Sequence, residues 1–531
     1  MSLLLYNARI YRTALDDTPA DAILIRDGLV SWVGYGDMAP IAQTKIDLGG
    51  RSVLPGLTDA HVHIFMLALS RFQISLVTNA VESFSELLAI LKNAGAETDW
   101  IQACDLMEDR LVEGCLPTAA DLDSAFPDRP VLIRRYCGHI AIMNSALMRE
   151  LGLHNDTPDP ESGTFYRDAS GNLNGLADES AAEWVFARAP IPSQEALSQG
   201  IIEVMQECLS FGLTAMTEAA VGFSVGYDRE AAVWAHIRAT CGVPVRMSFM
   251  SQLDPVQASQ RGLRPVYSDD WSSDTLKFFA DGIIGGRSGA LSESYDDIDT
   301  MGVLMQPPGV LEDIFARAHA NGWRIAVHAT GDRGIARVTA AISAAQGDSR
   351  DRRHRIEHCF VPPAGVFNDL ASQGIMVVTQ PGFLHRMGGS IARGLGARCD
   401  TAYPAASVLN AGAALAFSSD APTGPLSPWS GVHAAVTRTG HHGDQIGAAE
   451  ALSLRDALNA YIAGGANTMR QENLRGTLVQ GMSADLVVMK DDPFGVSTED
   501  LPNLRADLCM VGGKITYRSP ETQGLANTGK R

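Results

Sequence analysis

The chain has 531 residues, of which 46% are hydrophobic and 19% charged, and its formal net charge at pH 7 is −19. This mixture is typical of a folded globular protein with one large domain and additions, or with two or three domains. The acidic balance argues against nucleic acid and anionic membranes as partners, and no apolar run is long enough to span a membrane.

The eight cysteines occur singly and form no CxxC pair. In a chain of this size, that pattern favours reduced thiols over a disulfide framework. The first residues, MSLLLYNARIYRT, contain neither a charged leader nor the apolar segment of a signal peptide. We therefore expect a cytoplasmic protein.

Both ends of the chain carry short apolar strands separated by Gly and Asp. LLLYNARIY and AILIRDGLVSWVG lie near the beginning, and ADLVVMKDDPF and LCMVGGKITYRS lie near the end. Because the two ends share this character, we predict that residues 1–52 and 472–531 pair into one small β-sandwich domain.

The middle of the chain alternates apolar strands with helical patterns, which is typical of βα units around a parallel sheet. Two of the helical patterns, LEDIFARAHANG and PAGVFNDLASQG, end at glycine, a common helix terminator. Eight candidate strands predict a TIM-like (β/α)8 barrel over residues 53–471, with strands at 53–61, 213–219, 244–250, 275–282, 324–331, 354–360, 375–381 and 414–422.

The interval between the first and second of these strands is too long for a loop without structure of its own. We predict an inserted subdomain at about residues 67–190, placed at the top of the barrel, where loops carry function. A second long interval, residues 381–403, is rich in Gly and Arg, and we predict a mobile active-site loop there.

Residues with metal-binding side chains cluster at the carboxyl ends of the predicted strands. The first strand ends in DAHVH, and since side chains alternate along a strand, both of its histidines can face one ion. Imidazole and carboxylate are typical ligands of Zn²⁺ and related divalent ions. The full set is His61, His63, Lys277, His328, His358 and Asp420.

Each member of the set has an ordinary structural alternative. A single strand histidine is usually a hydrogen-bonded core residue, Asp420 alone would be a helix N-cap, and a buried Lys277 normally pairs with a carboxylate such as Asp281. The ordered set on one face of the barrel favours metal binding over these alternatives. Five other histidines are interpreted as surface residues, namely His154, His236, His319, His441 and His442.

The phrases DAHVH, KFFADG, AVHATGD, RIEHC and SSDAP, in this order, resemble the amidohydrolase superfamily. They are most similar to its branch of metal-dependent hydrolases typified by N-substituted formamide deformylase, the YtcJ-like group. The resemblance covers nearly the whole chain and extends to GHIAIMNSALM in the predicted insert. Any one phrase is weak, whereas the ordered set is specific.

The resemblance implies a small-molecule substrate and two divalent metal ions, zinc first, with manganese or cobalt as alternatives. His61, His63 and Asp420 would hold one ion and His328 and His358 the other. Lys277, carboxylated by CO₂, would bridge them, since a free ammonium cannot bind a cation. The resemblance also implies a homodimer.

The implied reaction is hydrolysis of a non-peptide C–N bond in an amide, N-substituted formamide, carbamate or cyclic amide. A metal-activated hydroxide would attack the carbonyl carbon, with Asp420 as the general base and then the general acid. Two alternatives stay open. The same fold and metals could serve deamination, decarboxylation or ester hydrolysis, or the protein could be a non-catalytic binding or regulatory protein.

Other residues near the predicted top face have weaker assignments. His139 would contact the substrate or its oxyanion, or support the insert. Arg287 would clamp a polar substrate group or form a surface salt bridge, and Glu218 would lie beside the substrate. Asp332 would orient His328 or cap a helix, and Glu357 would face away from the metal because it neighbours His358.

Overall fold

The computed structural model describes residues 2–76, 81–94, 99–160, 163–440, 443 and 445–522. The chain folds into two compact units, which are described separately. The first contains Met1–Val62, Met205–Ala220 and Val243–Arg531, and the second contains His63–Val204 and Val221–Gly242. Within the described residues, no helix is both long and apolar enough to cross a membrane.

The first unit contains an eight-stranded sheet in which every described strand pair is parallel, and this is the predicted barrel sheet. Its strands are mostly buried on both faces, which explains their almost continuous apolar sequences. In chain order, the first to eighth barrel strands are Leu57–Val62, Leu213–Val221, Arg246–Ser251, Trp271–Phe279, Arg324–Ala329, Arg355–His358, Met376–Thr379 and Leu415–Phe417.

The first and eighth barrel strands come together and nearly close the sheet. The backbone N–H of Asp420 donates to the carbonyl of His61 at 2.8 Å. Ala60, Val378 and Ala416 form one buried cluster that joins the first, seventh and eighth strands. The sheet is therefore a nearly closed parallel barrel, and its carboxyl ends surround one region.

The predicted first strand, residues 53–61, is wrong in its extent because the structure divides it at Gly56. Ser52–Pro55 belongs to the sheet formed by the chain ends, and Leu57–Val62 belongs to the barrel. A Cβ atom on Gly56 would lie 2.1 Å from Oγ1 of Thr214, so only glycine allows this close approach. The apolar sequence runs through both strands without showing the break.

The two ends of the chain contribute strands to one sheet. The strand order is Lys514–Arg518, Ala506–Val511, Leu486–Met489, Ser52–Pro55, Ser2–Ile10, Ala20–Arg26 and Leu29–Gly34, and Thr44–Asp47 pairs with Ser2–Ile10. Its buried core includes Leu5, Ile23, Val53 and Leu486. The sandwich form and the boundaries at residues 52 and 472 stay predictions.

Helices follow most barrel strands. The glycines predicted to end Val310–Ala320 and Val366–Gln373 both have positive φ, +85° at Gly322 and +65° at Gly374. The helix Gln194–Ser210 begins in the second unit and ends in the first. The other helices of the first unit are Pro255–Gln260, Asp332–Gln346, Phe383–Leu395, Ala405–Asn410, Pro428–Thr437, Leu454–Asn459 and Gly465–Thr468.

Residues 381–403 are not the loop predicted from their glycine and arginine content. They form the helix Phe383–Leu395, followed by a 3₁₀ segment, Gly396–Thr401. The apolar side chains of this helix recur along one face and are buried, among them Leu384, Met387 and Ile391. This helical periodicity outweighs the three glycines within the helix Phe383–Leu395.

The second unit has its own six-stranded sheet, in the region predicted as an insert. The strand order is Phe165–Arg167, Leu173–Asp178, Ile140–Met143, Val131–Arg135, Ile101–Leu106 and Ile74–Ser75. Two apolar clusters pack against it. Its helices are Ile64–Ser70, Phe84–Ala94, Ala119–Asp123, Ser145–Glu150, Glu179–Phe186 and Tyr227–Thr240.

Candidate metal centre

Three of the predicted ligands form a buried group at the carboxyl end of the barrel. One ligand atom each from His61, His358 and Asp420 lies within 4.8 Å of the other two. Nε2 of His61 is 3.2 Å from Oδ1 of Asp420, and the rings of His61 and His358 are 5.1 Å apart. Two imidazoles and a carboxylate at this spacing have the chemistry and the separation that a divalent cation requires.

The ring of His61 is oriented by a carboxylate on the sixth barrel strand. Nδ1 of His61 lies 2.5 Å from Oε2 of Glu357, and Glu357 also accepts two hydrogen bonds from Arg355. Burial acts to raise the pKa of Glu357, but the Arg355 charge and His61 outweigh it and hold the pKa below its usual range. The anionic carboxylate takes the Nδ1–H, so Nε2 of His61 keeps its lone pair toward Asp420.

The prediction that Glu357 faces away from the cluster is wrong. It assumed that side chains alternate up to His358, but His358 and Cys359 have φ values of +75° and +51°. This left-handed backbone breaks the alternation, so Glu357 and His358 both reach the same group. Asp420 also has positive φ, +50°, and such sparsely populated conformations are concentrated at functional sites.

His358 is oriented by an amide. Its Nδ1 lies 2.8 Å from Oε1 of Gln380, whose Nε2 donates to the hydroxyl of Ser418 at 2.8 Å. Gln380 therefore offers its oxygen to His358, which fixes the proton on Nδ1 and leaves the lone pair on Nε2. Burial lowers the pKa of His358 to about 3, so the ring is neutral, as metal binding requires.

The predicted ligand His328 lies beside His358, with ring centroids 4.4 Å apart. Its Nε2 is 3.0 Å from the carbonyl oxygen of Gly282, so this nitrogen carries the proton and Nδ1 has the lone pair. The carboxylate near His328 is that of Asp281, at 4.0 Å, and not that of Asp332. Asp332 instead begins the helix Asp332–Gln346 and accepts hydrogen bonds from Ser292.

Lys277 is fully buried on the fourth barrel strand, with its Nζ 5.1 Å from the ring centre of Phe279. Burial lowers the pKa of Lys277 to about 8, and the negative charges of Glu357 and Asp420 oppose this shift. The carboxylate considered as its partner, Asp281, accepts backbone hydrogen bonds from Ala290, Thr330 and Gly331. The carboxylates that interact electrostatically with Lys277 are therefore Glu357 and Asp420, beside the histidines of the cluster.

Asp59 holds the backbone next to the cluster through two hydrogen bonds. Its Oδ1 accepts hydrogen bonds from the backbone N–H groups of His61, at 3.2 Å, and Ser419, at 3.1 Å. Burial raises the pKa of Asp59 to about 6. Asp59 thus joins the two strand ends that carry His61 and Asp420.

Arg287 forms the salt bridge that the sequence left open as an alternative to a substrate clamp. Its Nε donates to Asp297 at 2.8 Å, and its two terminal nitrogens donate to the carbonyls of Ile284 and Ser390, both at 3.0 Å. These contacts tie the segment after the fourth strand to the helix Phe383–Leu395 and favour a structural role.

Glu218 lies buried on the second barrel strand, level with Val62 of the first.

His63 and His139 belong to the second unit. His63 immediately precedes the helix Ile64–Ser70, so it lies beyond the strand on which the alternation argument placed it. The rings of His63 and His139 both pack near Phe223, at 5.3 and 5.1 Å. Burial acts to lower the pKa of His139, but Glu179, 2.8 Å from its Nδ1, outweighs this and raises it to about 9.

Only some of the histidines that were interpreted as surface residues are largely exposed. His154 is largely exposed, whereas His319 lies 2.9 Å from Nε2 of the buried His354. His441 and His442 lie outside the described residues.

Comparison with known proteins assigns this fold and cluster to a family. The model of the amidohydrolase family matches residues 44–517. The putative amidohydrolase YtcJ of Bacillus subtilis (strain 168) is 28% identical over 536 residues, which cover 97% of this chain and 99% of that protein. N-substituted formamide deformylase of Arthrobacter pascens is 25% identical over 540 residues, which cover 97% and 98%.

Among solved structures, a metal-dependent hydrolase from Pyrococcus horikoshii OT3 has the same fold, with a TM-score of 0.76 and 24% identity. The match covers 94% of this chain and 99% of that one. The barrel, its buried imidazoles and carboxylates, and these matches define a metal-dependent hydrolase. The chain belongs to the amidohydrolase family.

Proposed function

We propose that this enzyme hydrolyses a non-peptide C–N bond in a small molecule: an amide, an N-substituted formamide, or a related carbamate or cyclic amide. The observation that carries the proposal is the buried group of His61, His358 and Asp420, with ligand atoms within 4.8 Å of one another. The similarity to N-substituted formamide deformylase over 97% of the chain supports the bond type.

The donor set fits divalent metal ions, with zinc as the first candidate. Neutral imidazoles and a carboxylate suit Zn²⁺, and the orienting groups on His61, His358 and His328 each leave one ring nitrogen with a lone pair. Within the first unit, His61 and Asp420 would hold one ion and His328 and His358 a second, and a carboxylated Lys277 would supply a further oxygen ligand.

Bound divalent ions supply an acidified water and polarisation of a carbonyl oxygen. In this proposal, a carboxylate oxygen of Asp420 accepts the proton of the attacking water and returns it to the leaving nitrogen. Glu357 and Gln380 keep the protons of His61 and His358 on Nδ1 throughout. Because the orientation of both imidazole rings is fixed in this way, neither ring needs to turn during the reaction.

Glu218, on the second barrel strand, is the residue of the first unit that we assign to substrate contact, and His139 lies in the second unit. His139 has the properties of a cationic hydrogen-bond donor, because Glu179 raises its pKa and occupies its Nδ1. An imidazolium of this kind can stabilise negative charge that develops on a carbonyl oxygen. Arg287 is omitted, since its donors contact Asp297, Ile284 and Ser390.

The test combines metal analysis with a substrate screen. The purified protein is analysed for bound metal, then loaded with Zn²⁺, Mn²⁺ or Co²⁺ and screened against N-formyl, N-acyl, carbamate and lactam compounds. We expect about two ions per chain and hydrolysis of at least one class. Exclusive turnover of esters, amino-substituted rings or carboxylates would instead support one of the alternative reactions on the same fold.

The role of Asp420 is tested with Asp420→Asn. We expect a loss of about 10²- to 10⁴-fold in kcat, because an amide cannot accept the proton. Asp274→Asn is the control, since Asp274 is also a buried aspartate on a barrel strand but bonds to Thr275. Full activity in Asp420→Asn, or an equal loss in Asp274→Asn, would contradict the assignment.

A further inference from the structure

We infer that Glu357, held in place by Arg355, is the positioning residue that fixes the ring of His61 for cation binding and strengthens that binding. The inference rests on the proposed metal centre and adds two residues to it. Neither residue coordinates an ion in this proposal, and both act through His61.

The three side chains form a closed arrangement between the sixth and first barrel strands. Arg355 donates to both oxygens of Glu357, from Nε at 2.5 Å and from Nη2 at 2.9 Å. The same Nη2 donates to the carbonyl of Ala60 at 2.7 Å, directly before His61 in the chain. Arg355 therefore binds both the backbone that carries His61 and the carboxylate that orients its ring.

All three side chains are buried, with exposures of 1% for His61, 0% for Glu357 and 2% for Arg355. Taking a charged pair out of water is costly, and an apolar pair of similar volume often stabilises a fold at least as well. The buried ion pair is therefore poorly explained by stability alone. A role in orienting a ligand explains why a carboxylate stands at this position.

The two neighbouring imidazoles differ in the group that orients them. His61 donates its Nδ1 proton to the anionic Glu357, whereas His358 donates to the neutral amide of Gln380. An anionic acceptor increases the electron density at the opposite nitrogen more than a neutral acceptor does. Nε2 of His61 is thus the stronger cation ligand of the two.

The test is the metal affinity of Glu357→Gln. The amide has nearly the shape of the carboxylate, but it carries no negative charge, and its NH₂ group would face another donor, either Nε of Arg355 or Nδ1 of His61. We expect the affinity of the metal-free protein for Zn²⁺, measured by competition with a chelator, to fall by about 10- to 100-fold. Thermal unfolding of the metal-free variant is measured in parallel.

Asp485→Asn is the matched control. Asp485 is a buried carboxylate that accepts two hydrogen bonds from the buried Arg246, at 2.5 and 3.1 Å, and its other described side-chain contacts are with Ser483 and Gly512. Its substitution also breaks a buried ion pair, so we expect a lower unfolding temperature with unchanged Zn²⁺ affinity. An equal loss of affinity in the two variants would overturn the inference.

The double variant Arg355→Met, Glu357→Gln separates positioning from stability. It removes the uncompensated arginine, so we expect it to unfold at a higher temperature than Glu357→Gln while its Zn²⁺ affinity stays low. Wild-type affinity in the double variant would overturn the inference but leave the metal centre standing. Absence of Zn²⁺ binding by the wild-type protein would overturn both.

Discussion

Acidification should destabilise the barrel through the buried imidazole of His354. Its Nδ1 accepts a hydrogen bond from the N–H of Ile325 at 2.9 Å, and its Nε2 lies 2.9 Å from Nδ1 of His319. A proton on Nδ1 would place two N–H groups against each other. Burial first, and then the nearby His319 and two arginines, lower the pKa of His354 to about 3.

The sign and size of the effect follow from this shift. An unfolded histidine has a pKa of about 6.5, so below that pH the unfolded chain binds a proton that folded His354 does not. The contribution of His354 to stability is therefore complete above about pH 6.5 and is lost progressively as the pH falls toward about 3. At about pH 5, 1.5 units below the unfolded pKa, the loss is about 2 kcal/mol.

Urea unfolding of the wild type and of His354→Asn, at about pH 7.5 and pH 5, isolates this contribution. The asparagine oxygen can accept the Ile325 hydrogen bond but cannot take up a proton. We expect the wild type to lose about 2 kcal/mol more than the variant on acidification. Equal losses in the two proteins would refute the reasoning.

Three further predictions concern the metal and two structural contacts. Exhaustive chelation should abolish hydrolysis, and added Zn²⁺ should restore it; activity that survives verified metal removal would contradict the proposed chemistry. Gly56→Ala should lower the free energy of unfolding by about 1–3 kcal/mol, measured by urea unfolding, because its Cβ would lie 2.1 Å from Thr214; an unchanged value would show that the strands separate easily. Arg287→Met should lower stability by about 1–2 kcal/mol and leave KM unchanged, since Arg287 binds Asp297 and backbone carbonyls; a strongly raised KM would restore it as a substrate clamp.

The barrel could be predicted because its strands carry a strong local signal. Runs such as RIAVHA and RIEH are buried on both faces, and parallel strands bring their carboxyl ends to one side. That rule was sufficient to bring His61, Lys277, His328, His358 and Asp420 to one region. Their assignment as ligands stays a proposal.

The orienting groups were harder to predict, because they depend on backbone conformation rather than on residue type. Alternation correctly describes a regular strand, but it fails at Glu357, where the next residue has φ of +75°. No local sequence pattern predicts that a histidine will adopt a left-handed backbone conformation. Gln380 follows the seventh barrel strand, whereas His358 ends the sixth, and only the assembled barrel brings the amide to that ring.

The break at Gly56 has a consequence for how the centre is held. The strand Ser52–Pro55 pairs with Leu486–Met489 on one side and with Ser2–Ile10 on the other. After Gly56 the chain continues directly into Leu57–Val62, the barrel strand that carries His61. The sheet formed by the chain ends therefore holds the barrel strand that carries His61 in position. Shortening the chain at either end would loosen a residue of the proposed metal centre.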